Sequence, residues 1–268
     1  MVEEILSEVL DAIDSSFAKI ANEDYISYIL FIGRGDIIHG LKPMTGTDCV
    51  MDYQLDRYRD ETREGFYLRY LNRNYSKEGF HYQDVSGIDD LSIEMMIYCH
   101  LWDSSYFLKS LYRLARIING DGYKWEAKIP EHKKHEFIVN EIIAPLKSCN
   151  SPLGDILEKG YNSDIRNAFA HSLYNVDVSS KEIYTCTRRG QRTYKFDEFQ
   201  KIFLYSVILM NQLQNSLELN HDNACKVNNA LTHAFKTPEG IDVQVYGREI
   251  ERGGRLFPKI SLVEVSKE

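Results

Sequence analysis

The residue types best suited to chemistry fall in one short stretch, residues 162–176, NSDIRNAFAHSLYNV. Arg166 supplies a permanent cation whose planar fork matches a phosphate oxygen pair, and His171 carries a side chain that gains and loses a proton near neutral pH. Asn167 adds an amide able to orient an imidazole or to hydrogen-bond an oxyanion. Proton transfer and stabilisation of developing negative charge are the two tasks such a set can perform. On a helix, at about 100° per residue, Asn167 and His171 project about 40° apart, whereas Arg166 and His171 project about 140° apart. A site using both is therefore completed more easily by another helix. The competing reading makes Arg166 a surface cation paired with Asp164 or Glu158, and His171 a hydrogen-bonded core histidine.

The helix that must carry these residues is expected over 163–174, with Ser163 or Asp164 as its N-cap. Ala168 and Ala170 keep one side thin enough for another backbone to approach. Around it the apolar periodicity sets out further helices. Ile5, Leu6, Val9, Leu10, Ile13, Phe17 and Ile20 mark a helix over 3–21, followed by a shorter apolar stretch at 25–32. Four glycines and a proline make 31–46 a loop or short hairpin. A helix is expected over 48–74, carrying Arg57, Arg59, Arg63, Arg69 and Arg73 among acids, then a turn-rich segment at 76–90. One long helix is expected from about 91 to 118, stopped by Asn119-Gly120-Asp121-Gly122. Another covers 131–148 and should end or kink at Pro145, and a short one covers 152–159. Strands at 182–187 and 192–196 flank a turn at 188–191, a long helix runs over 197–219, and 241–250 with 256–265 form a second hairpin around Gly253-Gly254. The fold class expected is mainly α: a helical bundle with additional N-terminal helices and two short β-hairpins.

The order Arg166-Asn167-x-x-x-His171, inside DIRNAFAHSLY, resembles the signature of the HEPN superfamily. In that family an Arg, usually followed by a polar residue, precedes a His by four to six intervening residues. The resemblance covers about residues 90–220 and divides the chain into an N-terminal helical region (1–85), a HEPN-like helical domain (86–220) and a C-terminal extension (221–268). With 15 Arg and 8 His in the chain, an Arg-x4-His arises by chance roughly 0.4 times. A second copy, Arg34 to His39, lacks the Asn, is framed by Gly33 and Gly40, and reads as coincidence.

The resemblance implies a metal-independent endoribonuclease, a toxin or an antiviral defence component, that needs no cofactor and no metal. RNA brings its own nucleophile, the 2′-OH. His171 would shuttle the proton, Arg166 would face the phosphorane-like transition state with Asn167 beside it, and the product would be a 2′,3′-cyclic phosphate. The resemblance also implies a homodimer with one composite cleft, an RNA substrate, and an antitoxin or defence partner protein. In some toxin members a Tyr two residues after the His is adenylylated. Here Tyr174 stands three residues on, so that regulation is not expected. The alternative within the family is a non-catalytic module that binds RNA, a nucleotide or a partner protein.

Weaker signals surround this core reading. Arg188, Arg189 and Arg192 at the hairpin tip are candidates for RNA phosphates, and Tyr174 for stacking on a base. His132 and His135 in EHKKHE offer two nitrogens for zinc with no third ligand nearby, which favours an exposed helix start. Gly33-x-Gly35 lacks the rest of a phosphate loop. A net charge of −8 over 268 residues excludes a general nucleic-acid-coating protein and restricts RNA to a local basic site. Five dispersed cysteines without a CxxC read as reduced thiols. The apolar run 202–210 is too short to span a membrane, and the N-terminus carries acids where a signal peptide needs bases. The expected location is the cytoplasm.

Overall fold

Two helices take up the apolar positions of the first 32 residues. In this computed structural model, which describes residues 1–42, 46–51, 66, 70, 85–187, 190–252 and 254–265, α1 (Val2–Glu23) buries Ile5, Val9, Ala12, Ile13, Phe17 and Ile20 along one stripe. Asp24 ends it and caps α2 (Tyr25–Ile32), its carboxylate accepting the Ser27 N–H at 3.0 Å. The glycine-rich segment that follows contains β1 (Asp36–Ile37), paired antiparallel with β2 (Cys49–Val50). That pairing displaces the expected start of a helix at 48. Within the rest of the expected 48–74 helix, Phe66 and Tyr70 are described and are helical, whereas Arg57, Arg59, Arg63, Arg69 and Arg73 lie outside the described residues.

The single long helix expected over 91–118 is two: α3 (Val85–Asp103) and α4 (Ser105–Ile118). Ser104 separates them at φ −63° and ψ 115°, and its hydroxyl accepts the Phe107 N–H at 3.1 Å. The apolar rhythm runs straight through this cap, which is why periodicity alone joins the two. Helix α5 spans 134–148 in three pieces, with a π-helical stretch, Ile138–Ile143, between the α-helical turns Lys134–Phe137 and Ala144–Ser148. Pro145 lacks an N–H and crowds the carbonyl four residues back, and the widened turn accommodates both effects.

Then come α6 (Pro152–Gly160), α7 (Ser163–Ala170) and α8 (Phe196–Lys226). Helix α8 continues past its expected end at 219 because His221 and Cys225 extend the buried stripe of Leu213, Gln214 and Leu217. The fold is mainly helical, and α1, α2, α3, α4, α6 and α8 contribute to one apolar core. A polar link crosses it. The Trp102 indole donates to Ser206 Oγ at 3.1 Å, and that hydroxyl donates to Gly160 O at 2.7 Å.

Both expected hairpins are present, and each recruits further strands. β4 (Glu182–Thr187) and β5 (Gly190–Lys195) pair from Glu182↔Lys195 to Thr187↔Gly190, and β3 (Tyr174–Asp177) adds to β4. β8 (Asp242–Arg252) and β9 (Arg255–Glu264) form a long ribbon, flanked on the other side of β8 by β6 (Asn229–Ala230) and β7 (Phe235–Lys236). The ribbon packs on α8. A Cβ at Gly247 would stand 2.5 Å from Ala224 O, so only glycine allows this close approach. Among the described residues no helix is long and apolar enough to cross a membrane.

Candidate functional site

Helix α7 is short and fixed at both ends. Its N-cap is Asn162, not Ser163 or Asp164: the Asn162 Oδ1 accepts the N–H groups of Asp164 at 3.0 Å and Ile165 at 3.1 Å. The Asn162 N–H in turn donates to the Tyr98 hydroxyl at 2.6 Å. Burial pushes that hydroxyl far above its ordinary pKa, so it stays protonated and donates to Gly160 O at 3.1 Å. Ile165 and Ala168 are fully buried, and α7 packs on α3 and β4.

The helix ends at Ala170, four residues before the expected end at 174. Leu173 N–H bonds to Ala168 O at 2.7 Å and Ser172 N–H to Phe169 O at 3.1 Å, the bond pair of a Schellman terminus. Ser172 occupies the left-handed position at φ 54°, where glycine is usual. With serine there, the sequence carries no glycine to announce the stop. His171 is therefore the C-cap residue, and Tyr174 opens β3 instead of continuing the helix.

The motif residues are contiguous but face different surroundings. Arg166 Nη1 donates to Asn167 Oδ1 at 2.9 Å, while Nη2 donates to Asp103 Oδ1 at 2.6 Å. The partner of Arg166 is thus Asp103 on α3, not Asp164 or Glu158. Asn167 and His171 line an open cleft of about 770 Å³ with Asp164, Leu173 and Thr187 from their own region and His132 and Lys133 from the approach to α5. His171 is exposed, which removes the core-histidine alternative. Arg166 is not among the residues lining the cleft.

His132 and Lys133 are the residues the motif alone does not reveal. Lys133 takes a left-handed backbone, φ 60°, just ahead of α5. His135 turns elsewhere, its Nδ1 3.2 Å from the Tyr161 hydroxyl and its ring stacked on Tyr161. The two histidines of EHKKHE thus have different neighbours, and among the described residues no cluster of three His, Cys, Asp or Glu could hold a metal ion.

The remaining site candidates are partly placed. Arg192 Nη1 pairs with the buried Asp164 carboxylate at 2.9 Å, so it neutralises an acid at the cleft. Arg188 and Arg189 lie outside the described residues. Tyr174 is half-buried, its ring 5.3 Å from that of Phe169. Ala168 is buried inside its own chain while Ala170 is exposed, so the two do not form one exposed thin face. Cys99 donates its thiol hydrogen to Arg166 O at 3.4 Å. Burial pushes its pKa up to about 12, which keeps it from acting as a thiolate. No family model, no curated protein and no solved structure matches the chain.

Proposed function

We propose that the chain is a metal-independent endoribonuclease of HEPN type, acting in the cytoplasm as a homodimer, with an antitoxin or defence partner protein as its regulator. The observation that carries the reading is the contiguity of the motif: Arg166 bonds Asn167 at 2.9 Å, and Asn167 shares an open cleft with His171. In the proposed reaction His171 takes the proton of the RNA 2′-OH, the 2′-oxygen bonds to phosphorus, and the P–O5′ bond breaks. His132, in the same cleft, returns a proton to the leaving 5′-oxygen, and Lys133 attracts the phosphate. Arg166 faces the transition-state charge in the composite cleft of the dimer. DNA, without a 2′-OH, is not cut.

One observation favours a second reading, a non-catalytic HEPN module that binds RNA, a nucleotide or a partner protein. The Arg166 charge is matched by Asp103 at 2.6 Å within the chain. Incubation of the full chain with end-labelled single-stranded RNA and its DNA counterpart, in EDTA, separates the two. Cleavage of RNA alone, leaving 2′,3′-cyclic ends and falling about 100-fold or more in His171→Ala, supports the enzyme. Binding without cleavage supports the module. Cleavage that stops in EDTA and returns with Zn²⁺ or Mn²⁺ refutes the metal-free reaction.

A further inference from the structure

The β8–β9 ribbon sorts its residues by face. Successive side chains along a strand point to opposite sides, and residues paired directly across two strands share a side. Val243, Val245 and Ile260 are fully buried, and Gly247, the partner of Ile260, lies against Ala224 of α8. That side therefore faces the core. Farther along, it also carries Glu249 and Glu251, whose partners on β9 are Pro258 and Leu256.

The opposite side has a different composition. From the core outward its layers are Tyr246 with Ser261, Arg248 with Lys259, and Ile250 with Phe257, and Arg255 follows on β9. Arg248 and Arg255 are exposed, and Phe257 shows 44% of its surface. Arg248 and Lys259 stand directly across from each other, a like-charge pair about 5 Å apart at Cβ that weakens the hairpin holding it. Among the described residues no carboxylate pairs with Arg248, Arg255 or Lys259. A chain of net charge −8 thus gathers three cations on one protruding face. Layers along a strand are about 7 Å apart, so the Tyr246 and Phe257 rings flank the cation pair on either side.

A like-charge pair with no acid beside it fits a polyanion that supplies the missing countercharge. Cations alternating with rings fit a single strand of nucleic acid, whose phosphates meet the cations and whose bases meet the rings. An anionic lipid surface fits less well, because a tip entering it would carry Glu249 and Glu251 in on its other side. We infer that the outer face of the β8–β9 ribbon binds single-stranded nucleic acid, with Arg248, Lys259 and Arg255 on backbone phosphates and a base stacked on Phe257. None of these residues lines the His171 cleft, and the contacts use no 2′-OH. The inference therefore stands independently of the ribonuclease reading, and DNA binds as RNA does.

Fluorescence anisotropy of a labelled oligodeoxythymidine of about 15 nucleotides, titrated with the full chain at several salt concentrations, tests this without cleavage. Saturable binding is expected, with log affinity falling against log salt at a slope of about −2, three phosphates at about −0.7 each. Phe257→Ala should weaken binding about tenfold and leave the slope unchanged, whereas Lys259→Gln should make the slope shallower by about 0.7. Arg248→Glu sets opposite charges across the ribbon, so it should raise the urea midpoint while weakening binding at least about tenfold. A folding defect cannot produce that pair of results. No saturable change up to about 100 μM chain in about 50 mM salt, or unchanged affinity in Arg248→Glu, overturns the surface. So does binding to vesicles of phosphatidylserine and phosphatidylcholine without binding to the strand, which assigns the face to a membrane. Strand binding by a chain that leaves RNA uncut upholds the ribbon and refutes the ribonuclease.

Discussion

Arg166 on α7 donates to Asp103, the last residue of α3, at 2.6 Å, and the same carboxylate oxygen accepts Lys134 Nζ at 3.2 Å. One oxygen thus ties three helices together beside the cleft. It also holds the motif arginine on Asp103 and off the cleft-lining surface.

Replacing that carboxylate should free the arginine. Asp103→Asn is expected to raise the rate of RNA cleavage several-fold. Its stability cost should stay below about 1 kcal/mol, since the pair is partly solvent-exposed. Initial rates on a fluorescent RNA, with a urea melt alongside, check it. A fall in rate to the level of Arg166→Ala would make Asp103 a positioning residue instead.

His171 lies at the exposed end of α7, so its removal should cost chemistry and little else. His171→Ala is expected to lose cleavage while moving stability by no more than about 0.5 kcal/mol. His39, which closes the other Arg-x4-His and sits 3.3 Å from Glu126, serves as the control. Cleavage lost in His39→Ala would place the site at the wrong pair.

Ser172 holds a left-handed conformation for which its Cβ is a liability. Ser172→Gly is expected to stabilise the chain by about 1 kcal/mol through relief of that conformation, with cleavage retained. The urea midpoint reads the change directly, and a midpoint that falls would show that the serine side chain makes up for the strain.

Acid should loosen the seating of α1. Hydrogen bonds from Lys159 on α6 and then from Tyr205 on α8 hold the Glu8 carboxyl below its ordinary pKa. A carboxyl lowered on folding contributes stability that is complete above its unfolded pKa and disappears as pH falls through the folded value. Because Glu8 and Lys159 are both well exposed, that contribution is below about 1 kcal/mol. Urea melts of wild type and Glu8→Gln should differ at neutral pH and converge once Glu8 is protonated. A gap that persists in acid would mean the glutamate acts through packing.

The sequence was most legible where the signal is local. The stripe from Ile5 to Ile20, the Asn119-Gly120 stop and the 182–187 strand all lie close to their expected places, because periodicity, turn residues and β-branched runs act over a few residues. Ser104 and Ser172 show the limit. A serine cap inside an apolar rhythm and a left-handed serine at a helix end each leave no distinctive residue behind. The candidate site divides the same way. Asn167 and His171 share a cleft, as their spacing on the chain suggested, but Asp103 and Lys133 come from elements remote in sequence. Charge pairing across such distances has no pattern along the chain.

The close contact between the two ends of the chain bears on how it is made. A Cβ on Gly33, just past α2, would come within 3.1 Å of the Ile260 Cγ2 on β9, and Thr47 Oγ1 donates to Glu239 at 3.0 Å. Ile29, Leu30, Phe31 and Ile32 belong to the same buried cluster as Val245 and Ile260. A ribosome adding about 5–20 residues per second needs roughly 10–50 s to go from the first of these groups to the last. For that interval the nascent chain presents the apolar face of α2 without its final cover, and it is then that a holding chaperone would find the most surface to bind.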